Sequence, residues 1–260
     1  MELKNKTILI TGGTAGIGLE ATKQFLEAGC KVIITGRNQA KLDEVKKKYP
    51  SITAIKSDAG NVEDAKSLLA QVKDLGGIDI LYNNAGIFGA PDNLGIANDI
   101  HYEKAEAEIN INYLSVIRLN NLLMDMLKSR KESAIINVSS FLSYLPTMLS
   151  PTYSASKAAV RFYTVALREH LKIIKSNVKV FELLPPVVAT EMTKGFDTKK
   201  MSTEDLIKGL ISGLRKDKYT IRLGLTNVIY FLHRFFPIQQ KFLRQEREIT
   251  LNRCKRTNGK

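Results

Sequence analysis

Tyr153 and Lys157 stand four residues apart in a stretch with helical periodicity, so their side chains lie on one face of a helix, one turn apart. A phenol beside an ammonium is a candidate general acid and base. A free tyrosine titrates near pH ~10, and each unit of lowering corresponds to about 1.4 kcal/mol of preference for the phenolate. The lysine is expected to supply part of that lowering, which would suit Tyr153 to trading a proton with the oxygen of a carbonyl or an alcohol. Ser140, thirteen residues earlier, ends a run of strand-forming residues and can hydrogen-bond the same oxygen. Its neighbour Ser139 points the other way if the strand persists.

A second cluster lies at the start of the chain. Thr11-Gly12-Gly13-Thr14-Ala15-Gly16-Ile17-Gly18 follows a short apolar run and opens a helical stretch, where a dinucleotide's pyrophosphate would rest on free backbone N–H groups. Gly12 permits the tight turn, Gly16 the close approach and Gly18 the packing of helix on strand. A carboxylate after the second strand would bond both ribose hydroxyls of NAD, but that place holds Thr35-Gly36-Arg37. A cation there favours a 2′-phosphate, so NADP is preferred, with Arg37 as its partner and Asn38 nearby; NAD stays admissible. Asp58 could accept from the adenine amino group or simply form a turn.

These residues need a scaffold that brings strand ends together. Apolar runs at 7–11, 31–35, 52–56, 78–82, 134–138 and 178–183 lack polar alternation, as parallel strands covered on both faces do. Helical periodicity fills 16–28, 38–48, 61–74, 99–128 and 153–175, with Asn38 and Asn61 as N-caps. The alternation predicts an α/β fold: a Rossmann-type, doubly wound parallel sheet of about seven strands with helices on both faces. Residues 1–260 read as one domain, with 191–215 as a substrate lid and 221–260 as a basic C-terminal extension.

Together, TGGTAGIG at Thr11 to Gly18, NNAG at Asn83 to Gly86, the Ser140, Tyr153 and Lys157 set, and Pro185 to Thr190 resemble the short-chain dehydrogenase/reductases over roughly residues 5–195. The resemblance implies an NAD(P)-dependent oxidoreductase. It implies that Lys157 also positions ribose and that Tyr153 touches the cofactor. It further implies that Asn84 ties neighbouring strands, that Ala85 and Gly86 pass close to the cofactor, and that Val188 and Thr190 meet the carboxamide. Asn112 matches the family's fourth catalytic member, which holds a water relaying protons to the lysine; Asn110 competes, and the spacing NxxxxxRL from Asn112 to Leu119 favours Asn112. Pro186 stands where the family has glycine, removing one N–H. That proline pair, with GRNQAKL after the second strand, looks like the oxidoreductases found beside teichoic-acid D-alanylation genes.

Composition narrows the rest. The chain has 260 residues, 44% hydrophobic and 25% charged, as globular domains do. Two cysteines far apart predict neither a disulfide framework nor a zinc site, no apolar leader precedes the first strand, and a cytoplasmic protein is expected. His101, His170 and His233 lack metal spacing, so no metal is assigned. Phe141, Leu142, Tyr144, Leu145, Met148 and Leu149 between the catalytic serine and tyrosine suggest an apolar substrate, or pack against a neighbouring loop. Residues 218–260 hold ten Lys/Arg against two Glu, among them Leu225, Phe231, Phe235 and Phe242. Such a segment could dock on the body or a sister subunit, or lie on anionic lipid, and no nucleic-acid motif accompanies it. A homodimer or homotetramer is implied by likeness alone. The alternative function is an NADP(H)-binding sensor or interaction module without turnover.

Overall fold

The computed structural model describes residues 1–89, 94 and 99–236. Its strands are β1 (Thr7–Ile10), β2 (Lys31–Gly36), β3 (Thr53–Lys56), β4 (Ile80–Asn83), β5 (Ser133–Val138), β6 (Val178–Leu184) and β7 (Thr220–Arg222). The helices are α1 (Gly16–Glu27), α2 (Gln39–Lys48), α3 (Val62–Asp74), α4 (Asp99–Ile109), α5 (Ser115–Lys128), α6 (Pro151–Ile173), α7 (Thr203–Arg215) and α8 (Leu225–Phe235). All neighbouring strands pair in parallel in the order β3-β2-β1-β4-β5-β6-β7. The chain therefore changes winding direction between β1 and β4, and the crevice beyond their carboxyl ends is where such sheets bind ligands.

Why the strands lack alternation follows from their two covered faces. Ile8, Ile10, Ile34, Tyr82 and Ile136 pack beneath α1, α2 and α7, while Leu9, Ile33, Leu81 and Ile135 pack beneath α3, α5 and the end of α6. Each such side chain, taken fully out of water, contributes about 2 kcal/mol. Asn38 caps α2 by accepting from the Lys41 N–H, and Asn61 caps α3 by accepting from the Glu63 and Asp64 N–H groups. Pro151 opens α6 at a position where its missing N–H costs nothing.

Three segments differ from the pattern read in the sequence. The stretch 99–128 is interrupted by a π turn at Asn110–Leu114, in which the Ser115 N–H reaches the Asn110 carbonyl. Five-residue closure widens the helix at the position where Asn112 points inward. Of the segment 191–215 expected over the ligand, α7 is instead core: Leu206, Ile207 and Leu210 are fully buried in the first hydrophobic layer. Ile221 and Arg222, at the start of the expected extension, belong to β7, which three residues are enough to pair with β6.

Beyond β7, α8 docks by one side. Ile229 and Tyr230 pack on Tyr144, Leu145 and Leu184, while the Arg222 guanidinium lies 3.9 Å from the Tyr230 ring centroid. Leu225, Val228, Phe231, Phe235 and Phe236 remain exposed. Residues 237–260, most of the expected basic extension, including Phe242, lie outside the described residues. Among the described residues no helix is long and apolar enough to cross a membrane.

Candidate active site

The glycine turn lines a cleft of about 340 Å³ at the carboxyl ends of β1, β2 and β4. Gly12, Thr14, Gly16, Ile17 and Gly18 form one wall and Asn84, Ala85 and Gly86 the other. Gly16 has φ +51°, and a Cβ there would come within 3.2 Å of the Thr190 methyl. Gly18 has no room for a side chain, since a Cβ would meet the Gly12 carbonyl oxygen at 2.1 Å. A bare backbone cradle at the N-terminus of α1 fits an anionic pyrophosphate.

The loop after β4 is tied to that turn. Thr11 Oγ1 accepts from the N–H groups of Asn84 and Ala85 at 3.0 and 2.9 Å, and Asn84 Nδ2 donates to the Thr11 carbonyl at 2.9 Å. In the sequence a threonine before glycines reads as turn composition, and the structure makes Thr11 the tie between the two loops. Arg37 is exposed at the mouth of the cleft, beside Gly36 and Ser57. Asp58 lines the same end, and its carboxylate also closes a turn by accepting from the Gly60 N–H at 2.9 Å. Asn38 is exposed and occupied in capping α2, and it does not line the cleft. Val188 is buried away from that lining, bridged to Met201, whereas Thr190 and Met192 close over it.

Ser140, Tyr153 and Lys157 come together just behind the Gly86 wall of the cleft. The Ser140 hydroxyl lies beside the Tyr153 phenol and favours its ionised form. Lys157 is buried, donates to the Val138 carbonyl at 3.0 Å, and lies 5.7 Å from the Tyr153 ring centroid. A Cβ built on Gly86 would stand 3.5 Å from Lys157 Nζ, so the lysine abuts the cleft wall. Ser139 diverges as its strand position requires, donating to Glu182 at 2.6 Å on the far side.

The electrostatics of the pair differ from the expectation of a lowered phenol. Tyr153 remains partly accessible, yet burial, with the Glu108 carboxylate adding to it, pushes its phenol up to about 12; the Ser140 hydroxyl beside it pulls in the opposite direction. Burial pulls Lys157 down to about 8, against the Glu108 charge. Desolvation outweighs mutual assistance because both groups leave water together. At neutral pH the phenol therefore keeps its proton.

Asn112 is fully buried and fully bonded. Its Oδ1 accepts from the Ile87 N–H at 2.8 Å, and its Nδ2 donates to the Ile87 carbonyl and to Ser156 Oγ at 3.0 and 3.1 Å. Its competitor Asn110 faces elsewhere, donating to the Gly60 carbonyl at 3.0 Å. Phe88, next in the chain, sets its ring edge-on to Tyr153 at 5.1 Å and to Phe196 at 5.6 Å between centroids. No sequence spacing announces Phe88, since its partners come from two distant segments. Among the described residues no cluster of three metal-ligating side chains occurs.

Residues 6–201 match the family model described as short chain dehydrogenase. The chain belongs to the short-chain dehydrogenase family. This dehydrogenase is 33% identical over 228 residues, 85% of its length, to a Bacillus subtilis (strain 168) protein named uncharacterized oxidoreductase DltE, covering 89% of that relative. The likeness to D-alanylation-gene oxidoreductases, suggested by the proline pair, stands in that match. A second B. subtilis relative, uncharacterized oxidoreductase YvrD, is 31% identical, with 74% of this chain and 72% of that one covered. Among solved structures, a short-chain dehydrogenase from Burkholderia cenocepacia J2315, crystallised with NADP, superposes with a TM-score of 0.79 at 27% identity, covering 89% of this chain and 94% of that one. The dehydrogenase described here is thus an NAD(P)-dependent oxidoreductase by family, and its fold is the doubly wound sheet of its relatives.

Proposed function

We propose that this oxidoreductase uses NADPH to reduce an apolar carbonyl compound, or runs the reverse oxidation of the matching alcohol. The observation that carries this reading is Tyr153 and Lys157 set together behind the Gly86 wall of the glycine-lined cleft, with Ser140 beside the phenol. The fit of the cleft rests on Gly16 and Gly18, where side chains would occupy the cradle. Gly12, Thr14, Gly16, Ile17 and Gly18 would hold the pyrophosphate, Arg37 the 2′-phosphate, Asp58 the adenine end, and Asn84, Ala85, Gly86 and Thr190 the nicotinamide end. A bound reduced nicotinamide supplies hydride to a carbonyl carbon.

The chain's own residues do the rest. Ser140 orients the substrate oxygen by a hydrogen bond, and Tyr153 gives that oxygen its proton. Lys157 positions ribose and, titrating near neutrality, passes a proton on toward the tyrosine. Asn112 holds the π turn and the Ile87 backbone together with its side-chain amide already bonded, so a relay water would be met by the backbone of that turn. Phe88 and Phe196 would supply an apolar wall beside Tyr153 that favours a hydrocarbon-rich substrate and excludes water from the reacting atoms. NADPH consumption with a panel of aliphatic and aromatic ketones tests the reading, and absence of turnover on a broad panel would count for a binding module instead.

The cofactor preference has its own test. Arg37→Ala is expected to weaken NADPH by roughly tenfold to a hundredfold, about 1.5 to 3 kcal/mol of a charge-assisted contact, and NADH by less than about threefold. Equal losses in fluorescence titrations would defeat the 2′-phosphate assignment. A homodimer or homotetramer in the cytoplasm is part of the same reading, as is contact of the basic C-terminal segment with anionic lipid. The exposed Val228, Phe231 and Phe235 on α8 support an apolar contact there. Light scattering is expected to give a mass of two or four chains, and Phe231→Ser with Phe235→Ser to reduce co-sedimentation with phosphatidylglycerol vesicles; a monomer that ignores such vesicles would refute both.

A further inference from the structure

Glu108 lies on α4, one turn before Asn112, and is fully buried. Its Oε1 accepts from the Gly89 N–H at 2.7 Å and its Oε2 from the Thr152 hydroxyl. Asn112 grips Ile87 by both its N–H and its carbonyl. Residues 87 and 89 are thus held from one helical side, and Phe88 between them is aimed at Tyr153. The Gly89 carbonyl is held too, accepting from Ser150 at 3.4 Å. Thr152 precedes Tyr153 in the first turn of α6, so one carboxylate joins the aromatic wall to the turn that carries the phenol.

Burying a carboxylate is costly unless its charge and hydrogen-bonding capacity are used. Among the described residues, the groups that act on the Tyr153–Lys157 pair are the Ser140 hydroxyl and Val138 carbonyl from the end of β5, and Glu108 from α4. Lys104, one turn earlier on α4, flanks Gly89. Among the described residues Glu108 is the side chain that acts electrostatically on both Tyr153 and Lys157. A negative charge there opposes the phenolate and favours the ammonium.

We infer that Glu108 is a positioning residue of this active site, holding the Phe88 wall against the first turn of α6 and acting electrostatically on the Tyr153–Lys157 pair. Its consequence for catalysis rests on the proposed reductase reading; its measurement does not. Lysine titration by NMR in protein labelled at lysine, with the Lys157 signal assigned by its loss in Lys157→Met, reads the charge directly. Glu108→Gln is expected to lower the Lys157 midpoint by about one unit from near 8. Thr152→Ala, which removes one hydrogen bond and keeps the charge, is expected to leave it within about 0.3 unit.

Glu108→Asp serves if the glutamine variant does not fold. It keeps the charge on a shorter arm, so the Lys157 midpoint is expected to hold within about 0.3 unit. The Gly89 amide should then exchange about tenfold faster as its partner is lost. A folded glutamine variant with an unshifted Lys157, or an aspartate variant with Gly89 protection unchanged, overturns the inference. Should no carbonyl compound be turned over, the reductase reading fails by itself while these titrations still decide the role of Glu108.

Discussion

Tyr153→Phe is expected to lower kcat for carbonyl reduction by about 10³-fold while NADPH binding changes less than about threefold. The change removes one oxygen and keeps the ring, so the edge-on packing against Phe88 survives and the fold should be retained. What disappears is the proton donor: positioned general acids contribute roughly 10² to 10⁴, equivalent to about 3 to 5 kcal/mol of barrier. Because burial pushes the phenol up to about 12, virtually every molecule at pH 7 carries that proton, and the loss should be nearly complete rather than a fractional change in protonation. Steady-state kinetics on the best substrate of a ketone panel, with nucleotide affinity measured by fluorescence in parallel, checks both halves. Retained turnover would remove Tyr153 from the chemistry. Lost affinity of the same size would make its role structural and leave the acid unidentified.

The second large effect is expected at Lys157, with opposite signs for activity and stability. Lys157→Met should reduce kcat/KM by about 10³-fold or more, since it deletes both the cation next to the phenol and the proposed ribose contact. Without added nucleotide, however, the same variant should be more stable at pH 7. Burial holds the folded ammonium at about 8, below the ~10.4 of an unfolded lysine, so the unfolded chain binds more protons between those values. Stability therefore rises with pH across that window, and the full cost of burying the charge, about 3 kcal/mol, is present below pH 8. Methionine removes that cost but leaves the Val138 carbonyl without its donor, which takes back about 1 kcal/mol. A net gain of about 2 kcal/mol corresponds to a Tm higher by roughly 5 °C for a chain of this size. The gap should close as pH rises past 10, where the wild-type lysine is neutral when folded. Thermal unfolding of both proteins from pH 7 to pH 10 tests this, and a variant less stable at pH 7, or a gap independent of pH, would contradict it.

Both effects trace to the same arrangement. A phenol and an ammonium that would each be solvated on a surface helix are drawn inside by the strand ends and by Phe88. The site accepts a destabilising burial because catalysis depends on groups held out of water, with hydrogen bonds preset before a substrate arrives. Glu108 extends that arrangement by one more buried carboxyl group.

The sequence by itself was enough for the doubly wound sheet, because runs such as Ile8-Leu9-Ile10 and Ala134-Ile135-Ile136 are apolar at every position and require helices on both faces. It was also enough for membership in the family, because the glycine turn and the Ser140, Tyr153 and Lys157 set depend on local spacing: a bare turn before α1, a strand end, and one helical turn. The tertiary structure alone decided what spacing along the chain does not encode. The π turn at Asn110–Leu114 arises where Asn112 is bonded to a loop and to another helix at once. The core position of α7 depends on what lies beneath it, and its amphipathic pattern reads equally well as a lid. The raised phenol of Tyr153 and the depressed ammonium of Lys157 come from desolvation by residues far away in the chain, Glu108 among the charges that act on them. Local propensity and periodicity are properties of neighbours in sequence, whereas burial is a property of neighbours in space, and the chemistry of this site is set by burial.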